Sequence, residues 1–541
     1  MITNNSYAAS CEITPTIAAP ASFEMAQANT VEFDNLANKT IRKIYLRRYN
    51  VFNPQNPEED IALFRWLNGL HVLSTEQTIV DDLLFKPGHR FKEVELAESE
   101  RILRQRKYLY DAKITPISVC DDYVDVAVAT RDTWTITPGF SVSHSGGETN
   151  TRLSLAESNL FGTGKLLSIS KASTNARTEY TLRYRDPNIS GTRHTTSLEL
   201  SDNSDGERQY LTFSMPFYSL DSRQSYGMSY QNEQRLDPIY VQKDKLFEID
   251  HKLSHYNFYY GTSRGYVDNK TTRWRYGLSY LSDKFRDNFN DELHQHQRRL
   301  IYPWIEFSSL ANKFTTIQNY HSIKRTEDIN LGRSLHLKLG FSPKSLADDD
   351  SRYIIDFASK NAYRKQHQLF TMSGKIRGYW NKKTSKAQGL LTTVSANYYN
   401  FIDQDWVFFS GVKANNLTNP LVEQQLFLGG ETGLRGYPIR FSEGTKNIVF
   451  SFEQRYYSDS YLLRLVRFGA AAYVDIGRSW QPQLSQSPRN NGWYSSVGIG
   501  LRLTPSRVDA NHVIHIDLAT PLNDRDHIDS IQFIVKVKQS F

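Results

Sequence analysis

The spacing of apolar and polar positions divides the chain into two unequal parts. From about Thr40 to Asp132 two periods are mixed. Ile41 to Phe52 alternates as a strand does, with Ile44 and Leu46 on one face and Tyr45 and Arg47 on the other. Asn53-Pro54-Gln55-Asn56-Pro57 breaks that strand. Ser74, with Gln77 three residues on, makes a capping box and predicts a short helix through Ile79, Leu83 and Leu84 that Pro87-Gly88 ends. Leu96 and Leu103, with Ile102 beside them, form the apolar stripe of a second helix over about Lys92 to Tyr108. Two strands follow, Ala112 to Val119 and Tyr123 to Thr130, the second alternating Val124, Val126 and Val128 with Asp125, Ala127 and Ala129. The predicted order of this unit, residues 40–132, is β-α-α-β-β.

Across residues 133–541 the helical period disappears. Only strand-length segments remain, among them Thr151 to Leu155, Thr178 to Tyr184, Tyr210 to Met215, Arg273 to Tyr280 and Trp406 to Val412. Asp186-Pro187-Asn188, Ser204-Asp205-Gly206 and Ser145-Gly146-Gly147 are turn chemistry between them. With no helical crossover, the sheet is expected to be antiparallel, each strand paired to its chain neighbour. About twenty-one segments can be counted, and an odd number conflicts with a barrel whose ends lie on one side. The final run is the clearest: Ile531, Phe533, Val535, Val537 and Phe541 alternate with mostly polar residues, Lys536 and Lys538 among them. That period of two suits lipid outside and water inside. A soluble sandwich alternates in the same way, but so many strands behind a single mixed unit favour the barrel.

Composition leaves a membrane barrel open and excludes a helical membrane protein. Hydrophobic residues make up 39%, aromatics 13%, with 32 Tyr and 29 Phe against 5 Met, and mean hydropathy is -0.55. No apolar run approaches the ~18 residues of a spanning helix, whereas barrel strands average to such a composition. The net charge of +7 is spread along the chain and makes no nucleic-acid stripe. Cys11 and Cys120 are too few for a disulfide scaffold or a cysteine-based zinc site, and a bridge between a tail and a strand end is not expected. Residues 1–39 lack a basic segment and a continuous apolar core, so they read as a disordered or targeting tail and not as a clear signal peptide.

Candidate chemistry gathers late in the chain. Gly429-Gly430-Glu431-Thr432-Gly433-Leu434-Arg435-Gly436-Tyr437-Pro438 sets glycines and a proline around one arginine, within a long connection over about residues 415–446. Glu453 and Arg455 lie two apart in the next strand and so share a face, and Asp475 sits in Tyr473-Val474-Asp475-Ile476-Gly477 of the strand after. Acids within apolar strands are costly in lipid and sensible in a lumen, where they could receive Arg435. At ~4 Å and an effective dielectric near 20 such a pair attracts by about 4 kcal/mol before desolvation.

The Gly-Gly-Glu-x-x-Leu-Arg-Gly-Tyr loop, the Glu-x-Arg strand, the Tyr-x-Asp-x-Gly strand and the terminal Phe541, in this order, resemble the BamA/TamA superfamily of outer-membrane assembly proteins. Thr130-Arg131-Asp132-Thr133-Trp134 and Glu157-Ser158-Asn159-Leu160-Phe161-Gly162-Thr163-Gly164-Lys165 resemble it too, and residues 40–132 are similar to one of its POTRA (polypeptide-transport-associated) modules. Leu434 stands where valine is more usual, and one such module is found where the general assembly protein has several. The resemblance implies a sixteen-strand barrel over residues 133–541 and a loop of Gly433, Leu434, Arg435, Gly436 and Tyr437 folded into the lumen. It implies Glu453, Arg455 and Asp475 as wall partners, and Phe533, Val535, Val537 and Phe541 as a terminal strand signal. The implied place is the outer membrane of a Gram-negative bacterium, with the module in the periplasm. The implied partners are the bilayer, unfolded outer-membrane or secreted clients and periplasmic accessory proteins, with no cofactor, metal, nucleic acid or catalysis. Insertion, secretion of a dedicated passenger and a passive porin-like channel remain as readings. Gly261-Thr262-Ser263-Arg264-Gly265 matches a hydrolase nucleophile elbow, but a strand follows it where that motif needs a helix.

Overall fold

A computed structural model describes residues 11–13, 36–145, 148–241, 244–289, 292–347, 350–480, 492–508, 513–523 and 528–538. The front unit contains β1 (Cys11–Ile13), β2 (Thr40–Tyr49), α1 (Ala62–Leu70), α2 (Glu76–Val80), α3 (Glu93–Arg104), β3 (Leu109–Cys120) and β4 (Tyr123–Asp132). Its sheet runs β1-β3-β4-β2, with β2 parallel to β4 and the other pairs antiparallel. Ile79, Leu83, Leu96 and Leu103 from the helical side meet Ile41, Val124, Val126 and Val128 of the sheet in one buried core, as the predicted stripes require.

Three local expectations change. α1 has no counterpart in the predicted order, because its only buried residue is Phe64, Leu63 and Trp66 face outward, and its N-cap Ile61 makes no side-chain cap. The cap of α2 is Thr75, which accepts the Thr78 N–H at 3.2 Å, and the helix ends at Val80, short of the predicted Leu83 and Leu84. Ser74 is instead fully buried, donating N–H and Oγ to Asp132, each at 2.8 Å. The cysteines also differ from expectation: Cys120 is disulfide-bonded and no described cysteine is free. β1 adds to the edge of β3 with Cys11 in register opposite Cys120, a juxtaposition that sequence separation conceals.

The wall begins with β5 (Ile136–Ser145), β6 (Glu148–Glu157), β7 (Leu166–Ser173), β8 (Thr178–Asp186), β9 (Thr195–Asn203) and β10 (Gly206–Met215). It continues with β11 (Gln224–Val241), β12 (Asp244–Val267), β13 (Lys270–Phe289) and β14 (Glu292–Ala311). A hairpin off the wall, β15 (Phe314–Ile317) and β16 (Glu327–Asn330), precedes β17 (Ser334–Ser342), β18 (Arg352–Lys365), β19 (Gln368–Asn381), β20 (Lys386–Phe401) and β21 (Trp406–Thr418). A second hairpin, β22 (Leu426–Leu428) with β23 (Ser442–Gly444), lies before β24 (Lys446–Leu462), β25 (Val466–Trp480), β26 (Tyr494–Pro505), β27 (Val513–Pro521) and β28 (Gln532–Lys538).

Among the described residues the wall is a closed antiparallel barrel of 20 strands. The number is even, as a barrel with both ends on one side requires, and it replaces both the sixteen implied by resemblance and the odd count from pattern. Outward residues form apolar rows, such as Val497, Ile499 and Leu501 on β26 and Tyr256, Phe258 and Tyr260 on β12, while Ser496 and Arg502 of β26 are buried. A closed ladder with an apolar exterior satisfies backbone groups inside a bilayer. Among the described residues no helix is long and apolar enough to cross a membrane. β12 has 24 residues, and β13 and β14 have 20 each, about twice the 9–11 a spanning strand needs. The wall therefore rises well past a hydrocarbon layer on the β11–β14 side.

Two similar turns hold the front unit at one end of the barrel. After β6, Asn159 Oδ1 accepts the Gly164 N–H at 2.8 Å while its Nδ2 donates to the Val72 carbonyl at 3.3 Å. After β8, Asn188 accepts the Arg193 N–H at 2.8 Å and donates to the Asp81 carbonyl at 3.2 Å. The two asparagines thus hold the segments on either side of α2. Arg507 adds a buried ion pair to Glu59 at 2.6 Å, and Arg104 of α3 pairs with Asp328 of β16 at 2.7 Å.

Candidate functional site

The loop between β21 and β24 turns back into the barrel. Leu434 and Tyr437 are buried with Leu428, Phe441, Val449 and Tyr494, an apolar plug that fixes the loop's direction. Gly433 and Gly436 have φ of +111° and +90°, values that side-chain-bearing residues rarely adopt. A Cβ on Gly436 would also lie 3.0 Å from the Ser496 Cβ. The turn thereby aims Arg435 at the wall.

Arg435 meets both acids. Its Nε lies 2.7 Å from Asp475 Oδ2, its Nη2 is 2.8 Å from Asp475 Oδ1 and 2.7 Å from Glu453 Oε1, and its backbone N–H donates to Asp475 at 3.2 Å. The guanidinium stacks over Tyr473, 3.4 Å from the ring centre. Ser451 donates to Asp475 at 2.8 Å, and Arg455 Nε pairs with Glu453 Oε2 at 2.8 Å. All four charged residues are buried. Two cations and two anions leave the cluster neutral, the condition under which buried charges are tolerable. Removing one cation would leave an acid uncompensated, at a cost of about 3–5 kcal/mol.

Pattern alone does not mark the loop's other attachments. Gln425 bonds the backbone of Tyr240 on β11 twice, accepting N–H at 3.0 Å and donating to the carbonyl at 2.7 Å. Glu423 pairs with Arg298 on β14 at 2.8 Å. β11 lies ten strands from β25 around the ring of 20, so the loop is fixed at diametrically opposite places and crosses the lumen. Arg440 pairs with Glu148 of β6 and stacks on Tyr240, 3.7 Å from its ring centre. Lys536 of β28 donates to the Gly430 carbonyl at 2.8 Å. The polar run Glu423-Gln424-Gln425 is the single sequence hint of the far attachment.

On the terminal strand, Phe533 and Val537 are exposed on the outer face, Val535 is half-buried and Phe541 lies outside the described residues. Val535 opposite His144 is the one register pair between β28 and β5 among the described residues. Ser263 of the elbow-like motif lies in β12 at a bulge, its Oγ donating to the Thr272 carbonyl at 2.8 Å.

The fold and the site define a closed antiparallel barrel with an inward-folded, charge-anchored loop. Among solved structures the chain is similar to BamA from Haemophilus ducreyi lacking POTRA domains 1-3, at 14% identity over 92% of this chain and 84% of that one, with a TM-score of 0.39. It is also similar to CdiB from Acinetobacter baumannii (12% identity, 94% and 74% covered, TM-score 0.46) and CdiB from Escherichia coli (13%, 93% and 77%, 0.46). No protein-family model matches the chain, and no curated protein matches it.

Proposed function

We propose that this chain is an outer-membrane barrel of the BamA/TamA type that inserts or translocates β-rich client proteins, with its POTRA-like front unit on the periplasmic side. The observation that carries the reading is the uneven closure of the barrel: among the described residues β28 is laddered to β27 from Ala519–Gln532 to Val513–Lys538, and to β5 at Val535–His144 alone. Such a seam offers backbone donors and acceptors to an incoming strand, so binding comes from ladder hydrogen bonds and needs no bond chemistry.

The front unit narrows where a client can pair. The β3 edge carries β1 at one end, and farther along Glu100 accepts the Ile114 N–H at 2.9 Å while Arg104 donates to the Ala112 carbonyl at 3.2 Å. β2 has β4 as its sole strand neighbour among the described residues, apart from an isolated bridge at Thr40–Arg90. The stretch Lys43–Leu46 is the edge we assign to clients, with accessory proteins docking on the same unit. Secretion of a dedicated passenger is the second reading, favoured by a loop that already crosses the lumen and could move aside as a plug.

Depletion of the protein followed by quantitative proteomics of the outer membrane tests the proposal. Loss of many barrel proteins supports insertion, and loss of one secreted partner supports dedicated secretion. Unchanged outer-membrane and secreted proteomes would overturn both.

A further inference from the structure

The seam, with one β28–β5 register pair among the described residues, and the lumen loop are joined by two contacts that the Arg435 anchor does not need. Lys536 stands on β28, one side of the seam, and holds Gly430. Glu148 stands at the start of β6, where its Cα pairs with Ser145 at the end of β5, and holds Arg440. Gly430 and Arg440 belong to two legs of one loop, and the legs are bonded to each other. Gly430 N–H donates to the Pro438 carbonyl at 3.2 Å, and Arg440 N–H donates to Glu431 Oε1 at 3.0 Å. The approach is so close that a Cβ on Gly429 would sit 2.3 Å from the Pro438 carbonyl oxygen. Arg440 itself takes a φ of +53°, a left-handed conformation unfavourable for arginine that persists where surrounding contacts over-determine it.

We propose that this loop is the clasp of the barrel seam: Lys536 and Glu148, on the two sides of the β28–β5 junction, are bridged through Gly430, Glu431 and Arg440. The inference rests on the reading of the seam as the client's point of entry. It assigns the Gly-Gly-Glu portion of the motif a task separate from that of Arg435. Arg435 fixes the loop to β24 and β25, and the clasp connects that fixed body to both edges that must part. Separation of β28 from β5 then requires release of Arg440 from Glu148 or of Lys536 from Gly430, so seam opening and loop movement are coupled.

Hydrogen–deuterium exchange of the full-length protein in lipid nanodiscs tests the clasp without a client. Arg440→Gln and Lys536→Gln should each speed exchange in residues 136–145 and 528–538 by about tenfold or more, the effect of losing one charge-assisted bond. Exchange in β12–β14 should not change. The exchanged pair Glu148→Arg with Arg440→Glu should recover most of the protection. Unaltered seam exchange in singly substituted, fully folded barrels would overturn the clasp, as would an equal rise throughout the wall. The measurement is independent of client levels: a seam that loosens on cue while depletion leaves both proteomes unchanged would retain the clasp and remove the assembly function.

Discussion

The junction of β13 with β14 and that of β28 with β5 are parts of one ring, yet they are built differently. The first is an unbroken ladder from Lys270–Ala311 to Phe289–Glu292. The second has Val535–His144 alone among the described residues. Where backbone pairing is continuous, the sheet holds itself, and its side chains are free to bind elsewhere, as Arg298 does with Glu423. Where pairing is sparse, side chains and a loop take over, so closure there can be reversed by changing a few charges.

The severest way to break this contrast is Arg435→Glu. It would put three acids together in a buried site, with an expected loss of at least about 3–5 kcal/mol, while the β13–β14 ladder has no part in the anchor. We expect little heat-modifiable barrel on gels, and partial recovery in the double variant with Asp475→Arg, since compensation requires contact. Normal protein level and full activity of Arg435→Glu would show that the anchor is dispensable.

A change in the front unit should spare both junctions. Burial pushes the Asp111 carboxyl up to about 6, with Glu100 adding repulsion and Arg104, the Ala112 N–H and Arg325 opposing it. Because the folded value exceeds the ordinary one near 3.9, this group's contribution is fully present below about pH 4 and is lost as pH rises through about 6. Asp111→Asn should flatten that decline, by about 2 kcal/mol between pH 4 and 7.5, in denaturant unfolding of the front unit within the full chain. An unchanged pH profile would contradict the desolvation of this site.

Two glycines give the smallest and most direct comparison. Gly436→Ala in the loop meets a positive φ and the Ser496 side chain, and should cost about 1–2 kcal/mol. Gly374→Ala in β19, where a Cβ finds nothing within 4 Å, should stay within about 0.5 kcal/mol. Equal effects in thermal unfolding would mean that the loop is no more tightly specified than the wall.

Local pattern carried far in this chain. A period of two and turn chemistry define an antiparallel sheet, and the number of strands favours a barrel, because side-chain direction and chain reversal are decided by neighbouring residues. Arg435, Glu453 and Asp475 could be grouped for the same reason: they lie on a loop and the two strands that follow it, and β24 pairs directly with β25. Helix α1 escaped notice although Leu63, Trp66, Leu67 and Leu70 are spaced as a stripe, because it follows the breaker Asn53-Pro54-Gln55-Asn56-Pro57 and its N-cap Ile61 offers no capping side chain. What tertiary structure alone decided are the strand number, the addition of β1 to the front sheet with Cys11 opposite Cys120, the docking pair Arg507 with Glu59, and the contacts made by closing the ring, Glu423 with Arg298 and Arg440 with Glu148. Ring size follows from strand tilt and stagger taken together, quantities that no single segment encodes. Residues hundreds of positions apart meet across the lumen only once that circumference exists.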